Sequence, residues 1–94
     1  MVKFQINRSF VLDSKKIFFL CGSIISGKLK VGMIIKIWLD SHLFWVKPLI
    51  KINYLNDQEI AIGLNYNNSE ELEWLNMMSP IGEMIDIVWE DDLI

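Results

Sequence analysis

Hydrophobic and polar residues alternate along most of the chain, and this alternation predicts a protein built mainly from β-strands. Apolar residues recur at every second position, the spacing that places them on one face of a strand. Short turn sequences such as Asp13-Ser14-Lys15 and Asn56-Asp57 separate these stretches. The strands expected from this pattern are one around Phe4 and Ile6, then Lys16–Ser26, Met33–Leu39, Phe44–Leu55, Glu59–Tyr66 and Glu83–Trp89.

The period of the pattern changes once, between the fifth and the sixth predicted strand. Asn68 and Glu71 have the spacing of a capping box, and the carboxylates that begin this segment would interact favourably with a helix dipole. Apolar residues then follow at intervals of three, at Leu72, Leu75 and Met78. The spacing predicts a short helix over Ser69–Met78 that ends near Pro80.

About six strands and one short helix, with connections of a few residues, predict a small closed antiparallel β-barrel. Closure removes the exposed strand edges that favour aggregation. Pro48 has no N–H, so it is expected at a bulge or an unpaired position of its long strand. The chain is expected to form a single domain over 1–94, with the acidic tip 90–94 in solvent.

A glycine-rich corner supports the barrel. Gly22 lies in the preceding strand, Gly27 and Gly32 bracket Lys28-Leu29-Lys30-Val31, and an alternating strand through Ile35 and Ile37 follows. This stretch resembles the start of the second, β-barrel domain of the translational GTPases, the family of elongation factor Tu. The resemblance implies a stand-alone barrel that packs against a protein domain or holds the aminoacyl end of transfer RNA. The chain departs from the family in the inserted segment Asn67–Ser79. It also has no Gly-x-x-x-x-Gly-Lys-Ser/Thr phosphate loop, so no nucleotide is expected to bind.

Composition indicates a cytoplasmic protein without a membrane anchor. The longest apolar run, Ile17–Cys21, is far shorter than the roughly 20 residues of a membrane-spanning helix. The first eight residues carry Lys3 and Arg8 where a secretory signal would be apolar. A single cysteine cannot form an internal disulfide, whereas small exported domains usually contain several.

Charge is distributed unevenly along the chain, although the net charge is only −3. All nine Lys and Arg residues lie in 1–51, and ten of the twelve acidic residues lie in 52–94. The two halves of a small barrel interleave in space, so opposite charges can attract each other across the fold. The same asymmetry is also typical of a basic binding face with an acidic tail.

The residues that could carry chemistry do not form a catalytic pattern. His42 adjoins Asp40 and Ser41, but neighbouring residues of one turn rarely reach the geometry of a nucleophile, a base and an orienting group. Cys21 has no second cysteine or histidine cluster for zinc. The glutamates near residue 70 are accounted for by a helix start. A non-enzymatic protein with no cofactor and no bound metal is therefore expected.

The tryptophans suggest an interaction face. A hairpin that turns about Ser41 and His42 would pair Trp38 with Trp45. The resemblance to the translational GTPases implies that Val31, Met33, Ile35 and Ile37 point inward, so the opposite positions form an outer face with apolar pairs and lysines. Its members are Ile34, Lys36, Trp38, Trp45, Lys47 and Leu49.

Three explanations of this face remain open. The helix could cover it within one chain, with Trp74, Met77 and Met78 lying across the indoles. A second copy or another protein could cover it, which suits the enrichment of Trp and Met at interfaces. RNA bases could stack on it while lysines follow the phosphates. A protein-interaction module, including self-association, is the first expectation, and an RNA- or tRNA-binding barrel is the alternative.

Overall fold

The computed structural model describes residues 2–38, 44–78 and 82–89, and at residues 37, 38, 44, 45 and 78 it describes the backbone only. Three predicted features lie outside these ranges: the turn at Asp40–Leu43 that contains His42, the end of the helix at Pro80, and the acidic tip 90–94.

The described residues form seven strands and one helix. Their order along the chain is β1 (Val2–Leu12), β2 (Ile17–Ser26), β3 (Ile34–Trp38), β4 (Phe44–Pro48), β5 (Lys51–Tyr54), β6 (Ile60–Asn65), α1 (Ser69–Met78) and β7 (Met84–Val88). The all-β class is therefore confirmed, with a single short helix.

The strands form one sheet, but the predicted closed barrel is wrong. The strand order is β4-β3-β7-β1-β2-β6-β5, and every strand pair is antiparallel. Over the described ranges, no ladder joins the edge strands β4 and β5. The cause lies at Pro48, which cannot donate to a ladder and ends the strand that was expected to run to Leu55. The two halves of that strand become the opposite edges of an open sheet.

A two-residue link joins these edges. The amide of Leu49 donates to the carbonyl of Met33 at 2.8 Å, and the amide of Ile50 donates to the carbonyl of Gly63 at 2.9 Å. Since β4 and β5 lie at opposite ends of the strand order, the sheet has to curl until its edges approach each other at this link. The curl gives the sheet a concave inner face and a convex outer face.

The main core lies on the inner face. Phe4, Phe18, Leu20, Ile62 and Leu64 are fully buried there. Two apolar residues of the alternating pattern, Val31 and Ile50, are instead 59% and 38% exposed. Both lie outside strands, because β3 begins only at Ile34 and β4 ends at Pro48, so the alternation does not apply to them.

The helix α1 matches its predicted bounds and packs on the inner face. The side-chain oxygen of Asn68 accepts a hydrogen bond from the amide of Glu71 at 2.9 Å, as an N-cap does. Leu75 is fully buried in the main core, and Leu72 packs against it. Within the described ranges, no helix has the length and hydrophobicity needed to span a membrane.

A β-bulge in β1 changes which residues face the core. The pairing with β2 shifts between Ile6 and Arg8, so that Ile6 pairs with Gly22 and Arg8 pairs with Cys21. An extra residue on one strand reverses the side-chain alternation beyond it. Val11 therefore packs against the main core, whereas Phe10 lies on the outer face.

Candidate interaction surface

The β3–β4 hairpin has a different register from the predicted one. Trp38 pairs with Phe44, and Ile37 pairs with Trp45, so Trp38 and Trp45 are not cross-strand partners. Likewise Lys36 pairs with Val46, where Lys47 was expected. A register that differs by one residue moves the whole second strand to the opposite face.

The predicted outer face is consequently not assembled. Ile34, Lys47 and Leu49 are all buried, at 8%, 8% and 1% exposure, and Lys36 is partly buried. Lys47 pairs with the fully buried Ile35 and shares its inward orientation. Trp38 and Trp45, the centre of the predicted face, have side chains outside the described part of the structure.

Lys47 joins the sheet to the helix. Its ammonium group forms an ion pair with the Glu71 carboxylate, and the two side chains are 10% and 17% exposed. The side-chain amide of Asn67 donates a second hydrogen bond to Glu71 at 3.1 Å. The pair fixes the rotation of α1 on the inner face.

These hydrogen bonds lower the pKa of Glu71 below its ordinary value of 4.5, and the bond from Lys47 is the largest cause. A carboxyl group whose pKa is lower in the folded protein contributes stability that is fully present above its unfolded pKa. That contribution is lost as the pH falls through the folded pKa.

Acid should therefore weaken the wild type more than a Glu71→Gln variant. Urea unfolding at pH 7, 5 and 3.5 measures the difference, with the variant less stable at pH 7 but less sensitive to acid. Equal losses in the two proteins between pH 5 and 3.5 would show that this ion pair does not link folding to pH.

The outer face of β1 and β2 carries an exposed apolar patch. Phe10 pairs with Phe19 across the strands, and their rings stack with centroids 4.8 Å apart and planes inclined by 19°. Leu12 pairs with Ile17 one step further along. Phe10 and Leu12 are 43% and 38% exposed, whereas Ile17 and Phe19 are buried. We call these four residues the outer patch.

Buried residues of β2 and β6 adjoin the outer patch. Phe19 and Ile17 lie close to Gly63 on β6, where a Cβ atom would come within 3.1 Å of both side chains. Cys21 and Ala61, both fully buried, form one apolar cluster with Ile17 and Phe19. Burial raises the pKa of the Cys21 thiol, which is consistent with a packing role rather than a reactive one.

Basic residues border the outer patch. Lys15 and Lys16 follow Leu12 in the β1–β2 turn, and Lys51 lies beside Gly63 on β5; all three are exposed. Over the described ranges, none of the three forms an ion pair. At the opposite end Arg8 bonds to Glu59 at 2.6 Å, so its charge is balanced. The border is therefore positive where the outer patch is most exposed.

The helix α1 carries a second exposed surface, which combines apolar side chains with negatively charged ones. Four residues of α1 recur at helical spacing and are all exposed, and we call them the helix stripe: Glu70, Glu73, Trp74 and Met77. Trp74 is 46% exposed and Met77 is 71% exposed. The helix has no basic residue in its last turn to offset its glutamates.

The comparisons with known proteins identify no relative. No protein-family model, curated protein or solved structure matches this chain. In the part of the chain that the structure describes, no three His, Cys, Asp or Glu residues are grouped to hold a metal ion.

Proposed function

We propose that the protein is a non-enzymatic protein-binding module that acts through the outer patch. The observation that carries this proposal is the exposure of Phe10 and Leu12 on a sheet face that α1 does not cover. Exposed apolar groups that adjoin one another mark contact surfaces more often than isolated ones do. A cytoplasmic location, which we also propose, is supported by the single buried cysteine.

The composition of the outer patch suits a protein partner. Aromatic residues concentrate binding energy at interfaces, particularly where surrounding groups exclude water. Phe10 stacks on Phe19 and Leu12 pairs with Ile17 across the strands, so little side-chain freedom remains to be lost on binding. Lys15, Lys16 and Lys51 would form the polar rim and favour an acidic partner.

The same lysines are the one observation that favours RNA, because bases stack on aromatic rings while lysines follow phosphates. The overall charge opposes it. The chain has a pI near 5.0, and ten acidic residues follow its last lysine. Phosphate contacts weaken steeply with salt, so binding to transfer RNA that disappears at moderate salt would identify this alternative.

A photo-crosslinking amino acid at position 10 tests the proposal directly. We expect it to form protein adducts in cells, because a bound partner would lie within reach of the ring. The same probe at Tyr54, which is 70% exposed on the edge strand β5, is the matched control. Each adduct is identified by mass spectrometry and then tested with purified proteins and a Leu12→Ser variant. Equal adducts at both positions, or none at position 10, would contradict the proposal.

The Leu12→Ser variant should change the free energy of unfolding by less than about 1 kcal/mol, because Leu12 is substantially exposed. Its binding should nevertheless weaken markedly, as expected for an interface anchor. Chemical denaturation and a binding titration on the same preparation separate the two effects. A variant that is strongly destabilised would indicate that Leu12 belongs to the core.

A further inference from the structure

We infer that the partner is a second copy of this chain, whose helix stripe docks on the outer patch. This inference rests on the proposed function and names the partner of the same surface. In each contact, Trp74 and Met77 of one copy would cover Phe10 and Leu12 of the other. Glu70 and Glu73 would then approach the basic border of the outer patch.

The two surfaces match in both chemistry and charge. Each consists of two exposed large apolar side chains with charged residues of mostly one sign beside them. An exception beside the outer patch is Asp13 in the β1–β2 turn, whose carboxylate accepts a hydrogen bond from the Tyr66 hydroxyl. The outer patch is bordered by Lys15, Lys16 and Lys51, and the helix stripe contains two glutamates with no lysine or arginine in the helix. Oppositely charged rims favour encounter and disfavour incorrect partners. The charge asymmetry of the sequence thus appears as two complementary surfaces.

One chain cannot bring these surfaces together by itself. Leu72 and Leu75 hold α1 on the inner face of the sheet, and the Lys47–Glu71 ion pair fixes its rotation. The outer patch lies on the other face of the same sheet. Contact between the two surfaces therefore requires a second molecule.

Their placement favours a closed dimer over an open chain of molecules. The amide of Tyr66 donates to the carbonyl of Lys16 at 3.1 Å, and its hydroxyl donates to Asp13 at 2.9 Å. Since α1 begins three residues after Tyr66, the helix stripe starts at the same end of the molecule as the basic border. Two adjacent complementary surfaces can be buried at once in a twofold dimer, where each copy donates one and accepts the other.

Charge reversal tests this arrangement by sedimentation velocity. The basic variant carries Glu70→Lys and Glu73→Lys, and the acidic variant carries Lys15→Glu and Lys16→Glu. Wild-type protein should form a dimer of twice 11.0 kDa as its concentration rises. Each variant alone should dimerise at least about tenfold more weakly, because both of its contacts become repulsive. An equimolar mixture should recover a one-to-one dimer, in which both contacts are again complementary.

A variant with Lys28→Glu and Lys30→Glu is the matched control. It has the same net charge as the acidic variant, but its substitutions are exposed and lie outside the basic border. It should dimerise like the wild type, and mixing it with the basic variant should not produce the recovery. Circular dichroism establishes that every variant is folded.

A monomeric wild type at all concentrations would overturn the inference, and so would a mixture that fails to recover the dimer. Species larger than a dimer in the mixture would overturn the twofold arrangement. Co-sedimentation of a monomeric wild type with transfer RNA would also overturn the inference, in favour of nucleic acid. If the wild type is monomeric but position 10 still crosslinks to another protein, only the inference fails and the proposed function stands.

Discussion

Replacing Lys47 with methionine is expected to lower the free energy of unfolding by about 3–5 kcal/mol, the range for breaking a buried ion pair by removing one partner. Methionine fills most of the space that the lysine stem occupies, so the loss would come mainly from the charge of Glu71. That carboxylate would remain largely buried at the start of α1, with hydrogen bonds from the side chain and the backbone of Asn67 but no positive partner for its charge. Urea denaturation followed by tryptophan fluorescence measures the change.

Lys3→Met is the matched control for this substitution. Lys3 forms a 2.6 Å ion pair with Asp86, but the two side chains are 40% and 32% exposed. Pairs with this much solvent contact contribute less than about 1 kcal/mol. A Lys47→Met, Glu71→Leu double variant should recover part of the lost stability by removing the buried charge. If Lys47→Met costs no more than Lys3→Met, the ion pair does not hold the helix to the sheet.

The second large effect is expected at Gly22, where alanine should cost about 3 kcal/mol or more. A Cβ atom at this position would overlap the carbonyl oxygen of Gln5 and lie 2.8 Å from its carbonyl carbon. Those atoms belong to the backbone of β1 beside the bulge, so the strand itself would have to move. Thermal or urea denaturation measures the loss, and a failure to fold would be its extreme form.

Gly63→Ala provides the comparison within the same sheet. The atoms nearest to a Cβ at Gly63 are Cγ2 of Ile17 and Cε1 of Phe19, both at 3.1 Å, which small side-chain rotations can shift. Cβ of Lys51 follows at 3.2 Å, where a shift of the edge strand β5 by a few tenths of an ångström is enough. The cost at Gly63 should therefore be clearly smaller than the cost at Gly22. Equal costs at the two glycines would show that the backbone of β1 does not lie against Gly22.

Local features could be predicted from the sequence, whereas features set by pairing between distant residues could not. The bounds of α1 follow from its cap at Asn68 and from the spacing of Leu72 and Leu75, which are local signals. The register of β3 and β4 depends on the conformation of the connection at 39–43, which alternation does not specify. A difference of one residue was enough to bury Lys47 and Leu49, which had been expected outside.

The outer patch was missed for a related reason. Phe10 and Leu12 have the same parity as Phe4 and Ile6, so an uninterrupted alternation would place all four in the core. The bulge between Ile6 and Arg8 reverses that parity, and no single residue near Asn7 predicts the bulge. The apolar run Phe10-Val11-Leu12 was the one available signal that β1 extends beyond Ile6.

The most direct test of the central claim is a dilution series followed by amide chemical shifts in nuclear magnetic resonance. The shifts that change with concentration should map to two regions: the outer patch with Lys15 and Lys16, and the helix stripe from Glu70 to Met77. The amides of Ile34 and Lys36 in β3 should remain unchanged. Concentration-dependent shifts that map instead to β3 and β4, or a spectrum that does not change with dilution, would contradict the account.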